Sequence, residues 1–357
     1  MTSLEVGLSI IDSSTELSEI DKVKAAVLLT GYDQMWSEFD WQVIDTEREV
    51  TFEIPQTAWS YSGKVDTLVT GYGDQLVMVE HKTTTQDLSD KTAVYFSKLS
   101  FDEQIGRYHL AQWLMGEPLS QTIYDCLRKI TIRPKRVTIE QKDVLLAEGT
   151  YLGQPLEAAA LIPPEEIEAL GVETPELYEI RCRQAVLGDL DKHYARCGNI
   201  HRSTEQMVDT LGVLQQIAID IDNAMAYNHW YQNTQSCKAF NSPCEFLPLC
   251  MGISDPASDN WEKRTGGNRD PRTLSHSRAG CFQLCRRKYY WRYVEGIQKV
   301  GRASDALTFG SVIHEALEAW WLTQTKESCN VNSNTAGVAA TGDRPVKNGQ
   351  DDGPPAA

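Results

Sequence analysis

Apolar residues at Val23, Ala26, Val27 and Leu29 recur at helical spacing and predict a helix over 17–37. Val43–Ile54 then alternates apolar and polar positions, the period of a strand with one buried face. Two β-rich runs follow, Tyr61–Thr70 and Gln75–Lys82, and Gly71-Tyr-Gly-Asp74 between them reads as a hairpin turn. Helical spacing returns over Ser97–Met115, with Phe101, Ile105, Tyr108 and Trp113 spread along it. Thr122–Ile132 reads as another strand, stopping ahead of Pro134. Helices are predicted over 164–195 and 203–230, the second opened by Ser203 with Gln206 three residues on, a capping box. Gly252–Arg272 is rich in Ser, Asp, Asn, Gly and Pro and reads as a linker. Helical patterning resumes near Ser277–Tyr293 and Leu307–Thr323. From Lys326 onward periodicity disappears, which predicts a disordered tail over 326–357. No internal repeat is present.

With 357 residues, 41% hydrophobic and 24% charged, the chain has the composition of an ordinary globular protein with a sizeable core. It contains no apolar run of the ~18 residues needed to cross a bilayer. Its first residues lack the basic start and apolar stretch of a secretory signal, so the expected location is the cytoplasm, with no membrane partner. A net charge of -16 counts against nucleic acid. The basic residues are nevertheless grouped. Arg128, Lys129, Arg133, Lys135 and Arg136 form one set; Arg286, Arg287, Lys288 and Arg292, interleaved with aromatic residues, form another. A local stripe of this kind can bind phosphates on an acidic protein, and it can equally be a solvated helix face.

The most informative stretch is Gly63-Lys-Val-Asp66, then the turn, then Val79-Glu80-His81-Lys82. Alternation along a strand puts Glu80 and Lys82 on one face and His81 on the other, and the hairpin brings Asp66 alongside. Two adjacent carboxylates repel unless something compensates, and a divalent cation such as Mg2+ or Mn2+ does so through oxygen ligands. A lysine beside them can orient an attacking water while the metal stabilises charge on a phosphodiester. Taken alone, Glu-x-Lys is common, and charged pairs on strands are usually solvent-facing partners. Gln104-Ile-Gly-Arg-Tyr108 on the following helix adds Gln104 and Tyr108 four apart on one face, able to support the site and the DNA backbone.

Together, Gly63-x-x-Asp66, Glu80-His-Lys-Thr83 and Gln104-x-x-x-Tyr108 resemble the nuclease domain of the PD-(D/E)XK superfamily, RecB-like branch, which includes AddB and CRISPR-associated RecB-like exonucleases. The family's Gly-x-x-x-His helix is matched by Gly310-Ser-Val-Ile-His314. The resemblance implies an α/β fold with a mixed central sheet flanked by helices, a restriction-endonuclease-like core with helical additions and an iron–sulfur subregion. It implies metal held by Asp66, Glu80 and His314, with Glu47 a weaker candidate on the preceding strand. It also implies Lys82 as the residue positioning water.

Nine cysteines in a chain without an export signal point to metal rather than disulfides where they cluster. Cys237, Cys244 and Cys250 are spaced too widely for a zinc finger. Iron–sulfur clusters take four thiolates at varied spacing, so a fourth ligand is expected elsewhere. The RecB-like family supplies it from a segment resembling Ser275-His-Ser277 with Phe282-Gln-Leu-Cys285-Arg-Arg-Lys-Tyr-Tyr290, which implies Cys285 as fourth ligand of a [4Fe–4S] cluster and leaves Cys281 outside it. A structural zinc site on the same four cysteines is the alternative.

The expected organisation is a nuclease core with three cluster cysteines over 1–251, a linker over 252–272, a segment at 273–325 bearing the fourth cysteine and His314, and the tail. In the family the segment carrying that cysteine and histidine comes first, so the order here reads as a circular permutation, domain termini being commonly close together at the surface, with docking of 273–325 into a neighbouring chain, or an artefactual joining of a circular or repeated sequence, as the alternatives. The implied activity is Mg2+- or Mn2+-dependent hydrolysis of DNA, chiefly single-stranded or with free ends, in repair, recombination or phage and CRISPR-related processing, with a helicase as a further partner. The competing expectation is a non-catalytic DNA-binding iron–sulfur subunit of a helicase–nuclease complex.

Overall fold

The computed structural model describes residues 1–38, 41–71, 73–156, 162–239, 242–264, 270–301 and 305–335, with side chains in the last stretch from Leu307 to Gln324. Two helices open the chain, α1 (Ser3–Ser13) and α2 (Glu19–Trp36). Strands β1 (Gln42–Glu53), β2 (Ser60–Thr70) and β3 (Leu76–Thr84) form an antiparallel meander, followed by α3 (Val94–Ser100) and α4 (Glu103–Leu114). β4 (Gln121–Arg128) returns parallel to β3, and β5 (Tyr194–Ile200) pairs antiparallel with β4. Between them lie α5 (Pro175–Leu187) and an outlying helix, Ile139–Glu148, with a small core of its own around Leu145, Tyr151 and Ile167. Helix α6 (Thr204–Ala226), helix α7 (His276–Leu284) and the long α8 (Asp305–Thr335) complete the main framework.

The sheet order is β1-β2-β3-β4-β5, with a short strand at Thr273–Leu274 added parallel to the start of β2. Helices cover both faces, so β3 is apolar on both sides and reads as a continuous run rather than alternating. Val77 and Val79 join Ile123 and Leu127 under α2, α5 and α8, while Met78 joins Tyr124 and Cys126 under α4. This is the expected α/β class, a mixed and mostly antiparallel sheet flanked by helices, consistent with a restriction-endonuclease-like fold. No helix among the described residues is long and apolar enough to cross a membrane.

Helix α8 belongs to this core. Trp320 and Trp321 are fully buried, and their indole N–H groups donate to Asp33 Oδ1 (2.7 Å) and the Tyr32 hydroxyl (3.1 Å) of α2. Buried tryptophans cost least when the indole N–H is paired in this way. A Cβ at Gly7 would come within 3.1 Å of the Ala316 backbone oxygen, so the glycine lets α1 lie directly against α8.

Several sequence expectations change. Helix α1 was not anticipated, although Thr2 and Glu5 form a capping box that marks its start. The helix expected over 97–115 is two, because the Asp102 side chain caps Gln104 and begins a new helix after Phe101. The helix expected over 164–195 is three, Pro164–Ala169, Pro175–Leu187 and Leu190–His193, and Tyr194 onward is strand β5, whose adjacent Tyr194 and Ala195 are buried on opposite faces. The expected linker is partly ordered. Trp261–Lys263 pairs with Ile297–Lys299, and Trp261 stacks on Phe246 with ring centroids 5.4 Å apart. Positions 265–269 of that linker, and Tyr72 of the expected turn, lie outside the described residues. Helix α8 runs through the first ten residues of the expected disordered tail, since adding a turn to a packed helix is far easier than starting one. Residues 336–357 of that tail are not described.

Candidate metal centre

The geometry of the site begins with an interrupted ladder. β2 and β3 pair from Thr70↔Leu76 to Thr67↔Val79 and no further. β3 continues alongside β4 as far as Thr84↔Arg128, and β2 continues alongside β1 to Ser60. The sheet therefore opens a slot between β2 and β3, with Asp66 on one lip and Glu80 on the other. The apex is closed by the His81 backbone N–H, which donates to Asp66 Oδ2 at 2.8 Å.

From the α4 side come Lys82, Gln104 and Tyr108. Lys82 Nζ donates to Glu80 Oε1 (2.7 Å) and Gln104 Oε1 (2.9 Å), and Gln104 Nε2 donates to the Tyr108 hydroxyl (3.0 Å). The four-residue spacing of Gln104 and Tyr108 puts the two side by side on α4, one holding the other. Gly63 makes room for this chain. A Cβ there would lie 2.7 Å from Tyr108 Cε1.

From the α8 side come His314 and Glu47. His314 Nδ1 lies 3.8 Å from Asp66 Oδ2, and ligand atoms of Glu47, Asp66 and His314 all fall within 4.8 Å of one another. Glu47 reaches this position through its backbone, whose φ of +51° is left-handed. Thr46 before it contacts Glu318 of α8, whereas Arg48 after it pairs with Glu117, just past the end of α4. The left-handed residue therefore reverses the in–out alternation of β1 at the metal centre. Such strain in a non-glycine residue persists only where the surroundings enforce it.

These residues fit a divalent cation. Glu80 is 2% exposed, and its Oε2 has no hydrogen-bond partner among the described residues. Glu47, Asp66 and His314 form an oxygen and nitrogen donor set suited to Mg2+ or Mn2+, and the unpaired buried Glu80 oxygen, costly as it stands, lies beside that set rather than within it. Of the sequence-predicted ligands, Asp66 and His314 meet with the weaker candidate Glu47, while Glu80 stands on the other lip of the slot, held by Lys82. His81 is turned to the opposite face, its ring near Thr67 and Trp321. Beneath it the buried Asp125 accepts from the Tyr32 hydroxyl (2.6 Å) and Arg196 Nε (3.3 Å).

Burial raises the Asp66 carboxyl to about 6. Burial, followed by the charge of Asp66, raises Glu80 to about 8 against the pull of Lys82. Lys82 is raised in turn, because the attraction of Glu80 outweighs burial. Glu80 and Lys82 draw on the same proton, so the firm conclusion is that the metal-free slot holds extra protons near neutral pH. Between the ordinary carboxyl range and about pH 8 these two carboxyls bind more protons in the folded chain than in the unfolded one, so their own contribution to stability falls as pH rises. Metal must displace those protons. The rise in Tm on adding Mn2+ should therefore be larger at pH 8 than at pH 6, and Glu80→Gln should flatten the difference; differential scanning fluorimetry at both pH values reads this directly. Equal Mn2+ shifts at the two pH values would remove Asp66 and Glu80 from the metal centre.

The cysteines gather at a second place. Cys237, Cys244, Cys250 and Cys285 line one small cavity together with Phe246, Leu247 and Lys288. The Cys244 N–H donates to the Cys237 carbonyl (2.8 Å), and Cys285 Sγ accepts from the Asn233 N–H (3.4 Å). Burial pushes the Cys244 and Cys250 thiols up, and the neighbouring Cys285 pushes them further. Four thiols converging in a half-buried cavity are a donor set that a cation or cluster would stabilise as thiolates. Cys281 is instead buried among Phe282 and Tyr289, and the Cys329 side chain lies outside the described residues.

Several members of the two basic groups are paired with acidic side chains. Arg286 pairs with Asp220 (2.6 Å), Lys288 and Arg292 face Glu245 (4.0 and 3.6 Å), and Arg128 pairs with Asp87 (3.1 Å). Lys129 alone of its group lines the metal-centre groove.

No curated protein and no solved structure matches the chain. A family model, that of the PD-(D/E)XK nuclease superfamily, matches residues 273–347, the stretch that contributes His314 to the groove beside Asp66 and Cys285 to the cysteine cavity.

Proposed function

We propose that this chain is a metal-dependent DNA nuclease that hydrolyses phosphodiester bonds in the slot between β2 and β3. The carrying observation is that Lys82 is held by Glu80 and Gln104 beside Asp66 and His314, which lie 16 and 232 positions from it in sequence. The superfamily match supports a nuclease. Asp66, Glu80 and His314, with Glu47, would hold Mg2+ or Mn2+. When bound, such a cation supplies Lewis-acid chemistry, acidifying water and offsetting negative charge on a phosphate.

The chain's own groups do the rest. Lys82 stays an ammonium, since Glu80 raises its pKa, so it donates hydrogen bonds rather than removing a proton. Two of its three N–H groups are held by Glu80 and Gln104, leaving the third to orient the attacking water or a phosphate oxygen. Gln104, fixed by Tyr108, keeps the ammonium from swinging away. Water attacks phosphorus, the P–O bond to the leaving nucleotide breaks, the proton of the water passes to solvent, and the leaving oxygen takes a proton from solvent in return. Most of the gain comes from groups fixed in place before reaction.

The finer reading rests on the RecB-like resemblance: an exonuclease on single-stranded DNA ends, serving repair, recombination or phage and CRISPR-related processing beside a helicase. The four cysteines would hold a [4Fe–4S] cluster that pins Cys285 to the 237–250 segment. Residues 273–325 would be the family's beginning and 1–251 its continuation, joined by circular permutation. The packing of α8 on α1 and α2 and the meeting of Cys285 with the other three cysteines support that reading. Linear and circular single-stranded DNA of one sequence, incubated with Mn2+, test the mode of action. The linear form should be degraded from its ends and the circle should survive; cutting of the circle would show internal cleavage.

A further inference from the structure

We propose that Lys129 is a second lysine of the site, a cation that binds a phosphate oxygen of the substrate strand from the wall opposite Lys82. The inference rests on the nuclease reading and adds a residue that its motifs do not contain.

Lys82 pairs in parallel register with Cys126, and paired neighbours face the same side, here that of α4. Leu127 faces α8, and Lys129, two residues on, shares that face. The Lys129 N–H still donates to the Thr84 carbonyl (2.7 Å), so strand geometry continues one residue past β4. The two lysines thus approach the slot from opposite layers of the fold. Lys129 Nζ stands 5.6 Å from the Phe309 ring centroid, on the first turns of α8, and the residue is half-buried. The ring and the covered stem hold the ammonium at the groove rather than letting it range through solvent.

Charge gives it a task. The groove is lined by Glu47, Asp66, Glu315 and Glu318 besides His314 and Lys129. These carboxylates repel a nucleic-acid strand, and a divalent cation at Asp66 offsets only part of that repulsion. A fixed ammonium on the α8 wall attracts the strand where metal and Lys82 do not reach. The first basic group of the sequence therefore contributes to the site through one member, not as a stripe.

The test uses Lys82→Ala as a background that binds without cutting, with labelled single-stranded oligothymidine and Ca2+, across a salt series. Adding Lys129→Met keeps the stem on Phe309 and removes the charge. It should weaken binding about tenfold and reduce the slope of log affinity against log salt by about 0.7. Lys129→Arg should keep both near the background values. A merely structural lysine would leave the slope unchanged, so a Met variant with the background slope overturns the proposal. An Arg variant as weak as the Met variant also overturns it. The nuclease reading is judged separately, by whether the wild-type chain cuts DNA with Mn2+; if it cuts and the Met variant keeps the slope, Lys129 alone is dismissed.

Discussion

Lys82→Ala should lower the rate of DNA cleavage by about a thousandfold or more, the scale set by removing a pre-aligned donor from a transition state, while the chain still binds DNA. The side chain makes two hydrogen bonds within the slot and none to the hydrophobic core, so folding should survive its loss. A secondary effect has a definite sign. Lys82 holds the Glu80 carboxyl down against burial, so its removal lets Glu80 rise further and metal bind less readily at a given pH. Excess Mn2+ at higher pH should therefore restore metal binding without restoring cleavage. Quenched single-turnover assays beside anisotropy binding read the two separately. If Lys82→Ala cut at the wild-type rate, the slot would not be the active site.

The second large effect concerns the cysteine cavity. Anaerobically purified protein should be brown, with broad visible absorbance and about four irons per chain. Cys237→Ala and Cys285→Ala, at opposite ends of the cavity in sequence, should each lose the colour and much of the stability together, because a bound cluster contributes folding free energy. Cys281→Ala should keep the colour, since its thiol is buried among Phe282 and Tyr289 rather than in the cavity. Iron and zinc analysis with thermal melting of the same preparations checks this. Stoichiometric zinc without iron would replace the cluster by a structural zinc site, and Cys281→Ala losing the iron would reassign the fourth ligand.

Where local pattern sets local structure, the chain could be read directly. The run Val77–Val79 and its polar continuation Glu80–Lys82 describe a strand buried on both faces whose last residues reach the slot. The Ser203–Gln206 box starts α6 where its spacing said. Gln104 and Tyr108 meet because helical periodicity makes them neighbours.

What escaped depends on tertiary context. Tyr194-Ala-Arg-Cys-Gly has no strand alternation because α2 buries one face of β5 while β4 fixes the other residues, so its state is decided by neighbours. The place of Glu47 depends on a left-handed φ that glutamate rarely adopts and no spacing reveals. Lys129 was hidden in a basic run, since a run reveals charge but not which member turns toward a groove on another element. Trp261 reads as part of a linker because its strand partner, Lys299, is 38 residues further on in the chain.

The central claim is that Asp66, Glu80, Lys82 and His314 form one metal-dependent hydrolytic site within a single chain. Its most direct test is cleavage of end-labelled single- and double-stranded DNA by purified wild-type protein and by Asp66→Ala, with Mn2+ and with EDTA. The account predicts cutting by the wild type with Mn2+ only, and none by Asp66→Ala under either condition. Wild-type protein that binds DNA with its cysteine cavity intact, yet cuts neither substrate in Mn2+ or Mg2+, would contradict it and leave a DNA-binding module.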